Sequence, residues 1–168
     1  MGALVHARLE GADLPDPDGI IRAQLLRAIT ESALLVERRV KLKTPIGVTE
    51  VARGSIGHRI RTGHGVGRGI SVRAELGSPA RHVPVLERGR RPGRRPPSRA
   101  LELWVRRKLG IRDPKEARGV AFVIARKIGD RGTDAVRMFE KTAEESQADI
   151  QRIFERAGLN IAVRIAST

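Results

Sequence analysis

Cysteine and tyrosine are absent from this chain of 168 residues, and only four residues are aromatic. Without cysteine there can be no disulfide framework, no iron–sulfur cluster and no thiol nucleophile. Because aromatics are scarce, the core must consist of Leu, Ile, Val and Ala, and base stacking on aromatic rings is disfavoured. No apolar run approaches the roughly 18 residues that cross a bilayer, and the first eight residues lack the features of a secretory signal. The sequence therefore predicts no membrane partner.

Patterns that carry catalysis or bind metals are also missing from the sequence. His58 and His64 flank a glycine-rich turn without a cysteine or a nearby carboxylate, so we expect both to face solvent rather than bind a metal. The glycines of residues 63–69 are not followed by Lys-Ser/Thr or a helix, which excludes a P-loop, and no Gly-x-Ser-x-Gly elbow occurs. Four acids resemble a solvated helix face with i,i+4 partners: Glu140, Glu144, Glu145 and Asp149. We predict a protein that is not an enzyme and uses no cofactor.

Positive charge is abundant but confined to the middle of the chain. The whole sequence has 33 Lys and Arg against 19 Asp and Glu, and residues 53–112 hold 16 of the former against 3 of the latter. Residues 1–52 balance at 7 against 7 and residues 113–168 at 10 against 9. A neutral frame with a basic middle indicates a polyanionic partner, such as nucleic acid or an acidic protein surface.

The densest charge lies in a segment rich in proline and glycine, residues 88–99, which we call the arginine arm. Proline and glycine at this density predict a loop rather than a helix or an inner strand. The arm is the main candidate site, with six arginines: Arg88, Arg90, Arg91, Arg94, Arg95 and Arg99. It could be a flexible, solvated loop, a contact for DNA phosphates, or a dock for an acidic protein surface. Glu87 is a candidate to order it through a salt bridge.

Upstream of the arm, the hydrophobic pattern predicts a long helix followed by a β-hairpin. Apolar residues recur at helical spacing over residues 18–43, and Pro45 ends the pattern. Such a helix is about 35–40 Å long, more than a small core requires, so part of it could pack against another copy. Residues 55–60 and 70–76 alternate as strands around a turn at residues 62–69. The hairpin supplies further candidate contacts: Arg59, Arg61, Arg68 and Arg73.

Downstream of the arm, the sequence predicts helices. Ser98 is a candidate cap for a helix that ends at Gly110, and Asp113-Pro114 begins another that breaks at residues 129–132. A third helix is predicted over residues 133–157, and the alternation after residue 159 fits either a strand or a further helical turn. We expect one α+β domain over residues 1–168, with residues 1–17 flexible. Its long N-terminal helix would pack on a small antiparallel sheet, with two or three C-terminal helices and an extended loop.

An ordered series of short motifs runs along residues 20–154. In this order the motifs resemble those of the tailed-phage neck, or tail-completion, family of head–tail joining proteins. After the first helix, Glu50 stands where the family has Gly and Ala52 where it has Leu, and before the arm His82-Val83 replaces Tyr-Ala. The residues that match the family pattern are Pro45, Thr49, Arg53, Ser55, Ile56, Glu87, Gly89, Trp104, Ala121-Phe122, residues 125–128, Gly132-Thr133 and Phe139.

The resemblance implies a structural virion protein, made in the cytoplasm of a bacterial host and located at the head–tail junction. It implies a ring, a hexamer by analogy, around a channel through which double-stranded DNA passes. Its partners would be copies of itself, the adjoining head-completion or connector proteins, the tail-tube or tail-terminator proteins, and the DNA backbone. The alternative is a free DNA- or RNA-binding protein, monomeric or dimeric, that acts through its basic middle region.

Overall fold

A computed structural model describes residues 5–10, 19–47, 50–64 and 70–167, without the side chains of residues 5–10 and 64. The α+β class is confirmed: a long N-terminal helix, a small antiparallel sheet and several C-terminal helices are present. The described elements are β1 (Val5–Glu10), α1 (Ile20–Lys43), α2 (Val51–Gly54), β2 (Gly57–His64), β3 (Ile70–Gly77), α3 (Val83–Arg88), α4 (Ser98–Lys108), α5 (Pro114–Arg131) and α6 (Met138–Ala166).

The chain, predicted as a single domain, forms two compact units. Unit 1 consists of residues 1–2, 44–55 and 79–137, and unit 2 of residues 3–43, 56–78 and 138–168. Unit 1 holds 18 Lys and Arg against 7 Asp and Glu, a balance of +11, whereas unit 2 holds 15 against 12, a balance of +3. The surplus charge of the sequence is therefore concentrated in unit 1.

Unit 2 is built on α1, whose predicted extent is confirmed. One face of the helix packs on β2 and β3, where Leu25, Ile29 and Ala33 contact Val72 and Ala74 in a buried cluster. Alternate residues of β3 enter this core because successive side chains of a strand point to opposite faces of the sheet. The hairpin is also confirmed, since β2 and β3 pair antiparallel over their whole length. The turn was predicted over residues 62–69, but residues 62–64 belong to β2, and residues 65–69 lie outside the described residues.

The sheet has a third strand that was not predicted from the sequence. Val5–Glu10 forms β1 and pairs antiparallel with β3, which gives the strand order β1-β3-β2. This strand corrects the prediction that residues 1–17 are flexible, as far as that segment is described. The segment alternates strictly between apolar residues (Val5, Ala7 and Leu9) and polar ones, so a strand pattern was present in the sequence and was not used.

The last helix is longer than predicted and begins later. It starts at Met138 rather than at residue 133, because residues 133–137 pair with another segment of unit 1. It continues to Ala166, so the tail after residue 159 is helical and not a strand. Two of the four acids predicted to form a solvated face instead reach α1. Asp149 accepts from Arg39 at 2.5 Å, and Glu145 pairs with Lys43 at 2.5 Å.

Residue His58 is half-buried on the core side of β2, not in solvent as predicted. Its Nδ1 lies 2.5 Å from Oε2 of Glu37, and Oε1 of the same carboxylate accepts from Lys41 at 2.5 Å. Burial opposes ionisation of Glu37, but the hydrogen bonds and charges of Lys41 and His58 outweigh it and hold the pKa of this carboxyl below its ordinary value. The missing carboxylate partner of His58 is thus supplied by α1, 21 residues away in sequence.

We expect Glu37→Gln to lower the free energy of unfolding near pH 7 by about 1–3 kcal/mol, because two charge-assisted hydrogen bonds are lost. A lowered carboxyl pKa stabilises the fold above the unfolded value of about 4.3, and this contribution is lost as the pH falls through the folded value. The difference between wild type and variant should therefore close in acid, as measured by urea unfolding at about pH 7 and pH 3.

The control for this experiment is Glu144→Gln, the same change at an exposed carboxyl of α6. It should alter the free energy of unfolding by no more than about 0.5 kcal/mol. A Glu37→Gln difference that stays constant between the two pH values would contradict the ionic role of this carboxylate.

Unit 1 contains a pair of packed helices, α4 and α5. Val105 of α4 meets Ala117 and Ala121 of α5 in a small buried cluster. The predicted cap of α5 is confirmed, since the Asp113 carboxylate accepts from the N–H of Glu116 at 2.8 Å. The prediction that Ser98 caps α4 is wrong, because Ser98 is the first residue of the helix and Pro97 occupies the cap position. Gly110 follows the C-cap residue Leu109 and has a φ of 71°, as its predicted role requires.

Candidate polyanion-binding site

The arginine arm begins at the last residue of α3 and ends at the second residue of α4. Residues 89–97 between these helices form neither helix nor strand, apart from one isolated bridge at Arg90, so the predicted loop is confirmed. The helix before it, α3, is only six residues long. The arm therefore leaves one helix and enters the next within unit 1, and its ends are fixed by regular structure.

Backbone hydrogen bonds fasten the arm along its length to the segment that follows α5. Arg90 and Thr133 exchange two bonds, with N···O distances of 2.9 and 2.8 Å. On one side of this bridge the N–H of Gly93 donates to the carbonyl of Gly129 at 2.8 Å. On the other side, the carbonyls of Leu86 and Glu87 accept from residues 136 and 137 at 2.8 and 3.1 Å. Residues 86–93 thus run antiparallel to residues 129–137, an arrangement we call the arm anchor.

Two glycines allow the backbones of the anchor to approach closely. Gly89 and Gly132 have φ angles of 71° and 75°, a region that L side chains rarely adopt. A Cβ on Gly89 would lie 2.5 Å from the carbonyl oxygen of Thr133, and one on Gly132 only 1.9 Å from that of Arg90. Both positions therefore require glycine, for the conformation and for the space.

A third glycine provides the surface on which Arg95 lies. Gly129 is buried inside α5, contrary to the prediction that the helix breaks there, and a Cβ on it would lie 2.4 Å from Cγ of Arg95. The guanidinium of Arg95 reaches Asp130 at 3.5 Å. The stem of Arg95 thus packs on the bare helix backbone, and its charged end rests beside an acid of the same turn.

The six arginines of the arm divide into two groups. Arg95 pairs with Asp130, and the guanidinium of Arg90 donates to the carbonyl of Arg94 within the arm. The other four side chains are exposed and have no ion-pair partner among the described residues: Arg88, Arg91, Arg94 and Arg99. Two arginines therefore shape the arm, while four present unneutralised charge to solvent.

The hairpin arginines form a separate group on unit 2. Cross-strand pairing places Arg59 opposite Glu75 and Arg61 opposite Arg73, so these side chains share the face of the sheet turned away from the core. Arg61 lies 3.6 Å from Glu75, which offsets part of the charge. Arg68 lies outside the described residues. The structure thus brings Arg59, Arg61 and Arg73 together.

Glu87 is the one acid at the start of the arm, and the structure buries it at 8% exposure. The sequence predicted that it orders the arm through a salt bridge. Its carbonyl contributes to the arm anchor by accepting from Arg137. Backbone pairing also orders the arm, and no residue pattern signals that pairing except the glycines.

Neither a cluster of metal ligands nor a membrane-spanning helix occurs in the described part of the chain. Within residues 19–47, 50–64 and 70–167, no group of three or more His, Cys, Asp or Glu side chains is placed to hold a metal ion. No helix in the same ranges has the length and apolar character needed to cross a membrane. The guanidinium groups of the arm can donate bidentate, charge-assisted hydrogen bonds to phosphate or carboxylate oxygens.

A scan against protein-family models, a search of curated proteins and a search of solved structures each found no match for this chain. The resemblance to phage neck proteins therefore depends on the ordered motifs alone.

The anchor makes Gly129→Ala a sensitive test of how the arm is held. Alanine at an open helical position stabilises a helix by about 1 kcal/mol relative to glycine, and Gly119 of α5 has open space around it. We expect Gly119→Ala to be neutral or stabilising. Gly129→Ala should forfeit that gain and displace Arg95, and Gly132→Ala should be the most disruptive of the three because it meets backbone atoms.

The measurements are urea unfolding and the rate at which trypsin cleaves within residues 88–99. Faster cleavage is expected for Gly129→Ala and Gly132→Ala, with Gly119→Ala unchanged, because a released loop fits a protease more readily than an anchored one. Equal rates for all three variants would show that the anchor does not hold the arm.

Proposed function

We propose that this chain is a non-enzymatic structural protein of the tailed-phage head–tail junction, located in the virion. It forms a ring around the DNA channel, and its arginine arm binds a polyanion. Ring subunits of this kind contact copies of themselves heterologously, with one face of each copy against a different face of the next. The neighbours above and below would be connector or head-completion proteins and tail-tube or tail-terminator proteins.

The observation that carries the proposal is the convergence of separate motifs at the arm anchor. Glu87 and Gly89 match one family motif, and Gly132-Thr133 matches another, more than 40 positions later in the sequence. In the structure Gly89 lies against Thr133, and Gly132 lies against Arg90. Residues that the resemblance selected independently thus meet at one place, and their glycines are required there for steric reasons.

A departure from the family pattern supports the same proposal. Glu50 stands where the family has glycine, and its backbone is left-handed, with φ 53° and ψ 7°. Such a conformation is uncommon for a residue with a Cβ and costs about 1 kcal/mol or more. The backbone conformation at this position is therefore one that glycine adopts readily, although this chain has glutamate there.

The geometry of the arm favours recognition of charge over recognition of sequence. Of its four free arginines, Arg91 and Arg94 extend from irregular backbone, and the other two lie at the ends of two different helices. Base edges in the major groove are instead commonly read from one helix or a two-stranded ribbon. Contacts from flexible arginines to phosphates fix position without reading bases. The same guanidinium groups also form bidentate hydrogen bonds with carboxylates. DNA in the channel and an acidic surface on a neighbouring ring are the two polyanions that fit.

The ring is tested by native mass measurement and particle imaging of the purified chain. We expect a closed assembly with a central hole, because a heterologous contact that closes on itself produces a ring. A compact monomer or dimer that binds duplex with micromolar affinity, with no larger assembly at any concentration, would instead favour the alternative of a free DNA- or RNA-binding protein.

The role of the arm is tested by Arg91→Glu combined with Arg94→Glu, because both side chains are exposed and neither anchors the arm. Each phosphate contact contributes about 0.9 to the slope of log affinity against log salt. We therefore expect the slope for duplex DNA to fall by about 2, with weaker binding throughout. Fluorescence anisotropy across a salt series provides the measurement.

The matched control is Arg112→Glu with Arg118→Glu, two exposed arginines of unit 1 with the same change in net charge. If both double variants weaken binding equally, the arm has no special role in DNA contact. If the arm variant binds DNA normally, keeps the ring and fails to join heads to tails, the polyanion is an acidic protein surface.

A further inference from the structure

We propose that the outer face of the sheet in unit 2 binds the phosphate backbone of nucleic acid along a row of arginine positions that crosses all three strands. The row consists of Arg8, Arg73 and Arg61, one residue from each strand. The inference deepens the function proposed above, on which it rests for a polyanionic partner. It assigns to unit 2 a phosphate-binding surface that is separate from the arginine arm.

The pairing of the strands places the three arginine positions directly opposite one another. Arg73 lies in the central strand β3 and is paired with Arg61 of β2 on one side and with Arg8 of β1 on the other. Neighbouring strands of a sheet are about 4.8 Å apart, so the row extends about 10 Å across the sheet. Backbone hydrogen bonds fix the register of paired strands, and the spacing of the row therefore does not depend on side-chain conformation.

The hairpin part of the row lies on the face of β2 and β3 that is turned away from α1. This helix packs on the opposite face, where Val72 and Ala74 of β3 enter the core. The side chain of Arg61 is 65% exposed, and Arg73 is half-buried in the central strand. A ligand can therefore reach the row without displacing α1 or disturbing the core beneath it.

The same face of the hairpin has more positive charge than its own acid neutralises. Within residues 57–64 and 70–77 it holds three arginines, at positions 59, 61 and 73, against one acid, Glu75. Glu75 lies opposite Arg59 and 3.6 Å from Arg61, whereas Arg73 has no ion pair with a described side chain. Like charges directly opposite each other in a sheet are destabilising. An anion bound across the row would remove this repulsion.

The length and charge density of the row fit a nucleic-acid backbone. One strand of duplex DNA has a phosphate for about every 3.4 Å of helix axis, so about three phosphates lie along 10 Å. Guanidinium groups form bidentate hydrogen bonds with phosphate oxygens. An acidic protein surface would need several carboxylates at the same spacing, and like charges so close together destabilise a protein face. In nucleic acid the spacing is covalent, and for this reason the row favours a phosphate backbone.

The row and the arginine arm present their charge on different kinds of backbone. The sheet is held by regular pairing across three strands, whereas residues 89–97 of the arm form neither helix nor strand apart from one bridge. The arm belongs to unit 1 and the row to unit 2. Every phosphate that a protein neutralises adds to the salt dependence of binding. The contributions of the two surfaces can therefore be measured separately.

The test is Arg61→Gln combined with Arg73→Gln, which we call the row variant. Each phosphate contact contributes about 0.9 to the slope of log affinity against log salt, so the slope for duplex DNA should fall by about 2. Adding Arg8→Gln should lower it by about 1 more. Fluorescence anisotropy with a duplex across a salt series provides the measurement.

The matched control is Arg27→Gln with Arg38→Gln, two exposed arginines of α1 that also belong to unit 2. The change in net charge is the same, and we expect the slope to stay close to that of wild type. If the row variant is destabilised in urea unfolding, Arg61→Gln alone replaces it, because that side chain is mostly exposed. The slope should then fall by about 1.

Four results would overturn the inference. If the row variant keeps the wild-type slope, the sheet makes no phosphate contact. If the row variant and the α1 control lower the slope equally, net charge alone explains the effect. If the row variant weakens binding to polyglutamate and not to duplex DNA, the sheet binds an acidic protein surface. If Arg8→Gln has no effect, the row does not cross all three strands.

Failure of the row and failure of the proposed function give different results. If the row variant is unchanged while Arg91→Glu with Arg94→Glu lowers the slope, the arm binds DNA and only the row is wrong. If the row variant lowers the slope in a chain that forms no ring, the row is supported and the ring is wrong.

Discussion

The backbone pairing of residues 86–93 with residues 129–137 determines where the positive charge of this protein lies. A segment with six arginines repels itself and contains too much proline and glycine to adopt regular structure, so its position must come from contacts elsewhere. Here the contacts are main-chain hydrogen bonds, which do not depend on the arginine side chains. The pairing is possible because Gly89 and Gly132 supply left-handed backbone and leave room for a facing carbonyl. The arm can therefore keep four of its guanidinium groups for a partner.

This separation of anchoring from binding agrees with the division of charge between the units. Unit 1 holds most of the surplus charge together with the arm, whereas unit 2 is nearly balanced and several of its ionic groups form internal pairs. Arg39 with Asp149 and Lys43 with Glu145 join α1 to α6, and the Glu37 carboxylate joins α1 to the hairpin through His58. Partly exposed pairs contribute little stability individually, but they neutralise unit 2. The charge that a polyanion would meet belongs mainly to the arm and the helices beside it.

Apolar spacing, alternation and cap residues predicted much of the fold. These local patterns failed where a segment's structure depends on residues distant in sequence. The extent of α1 followed from apolar spacing and Pro45, the hairpin from alternation around glycines, and the start of α5 from Asp113-Pro114. By contrast, His58 appeared solvent-facing because its carboxylate partner lies on α1. Residues 133–137 appeared helical because nothing local shows that they pair with the arm. Strand β1 was missed although residues 5–10 alternate between apolar and polar side chains, because a short alternating segment does not by itself show that β3 offers it an open edge.

For the candidate site, the sequence alone determined which residues carry the charge and that their backbone is irregular, because charge and proline content are properties of composition. It also placed the motif glycines in order, without indicating that they meet. Only the tertiary structure decided which arginines anchor the arm and which remain free, since that depends on the approach of Gly129, Asp130 and Thr133 from the far end of α5. The same holds for an apolar cavity in unit 2 that is lined by residues of α1, β2, β3 and α6, because a cavity is formed by the packing of several elements and has no counterpart in any one of them.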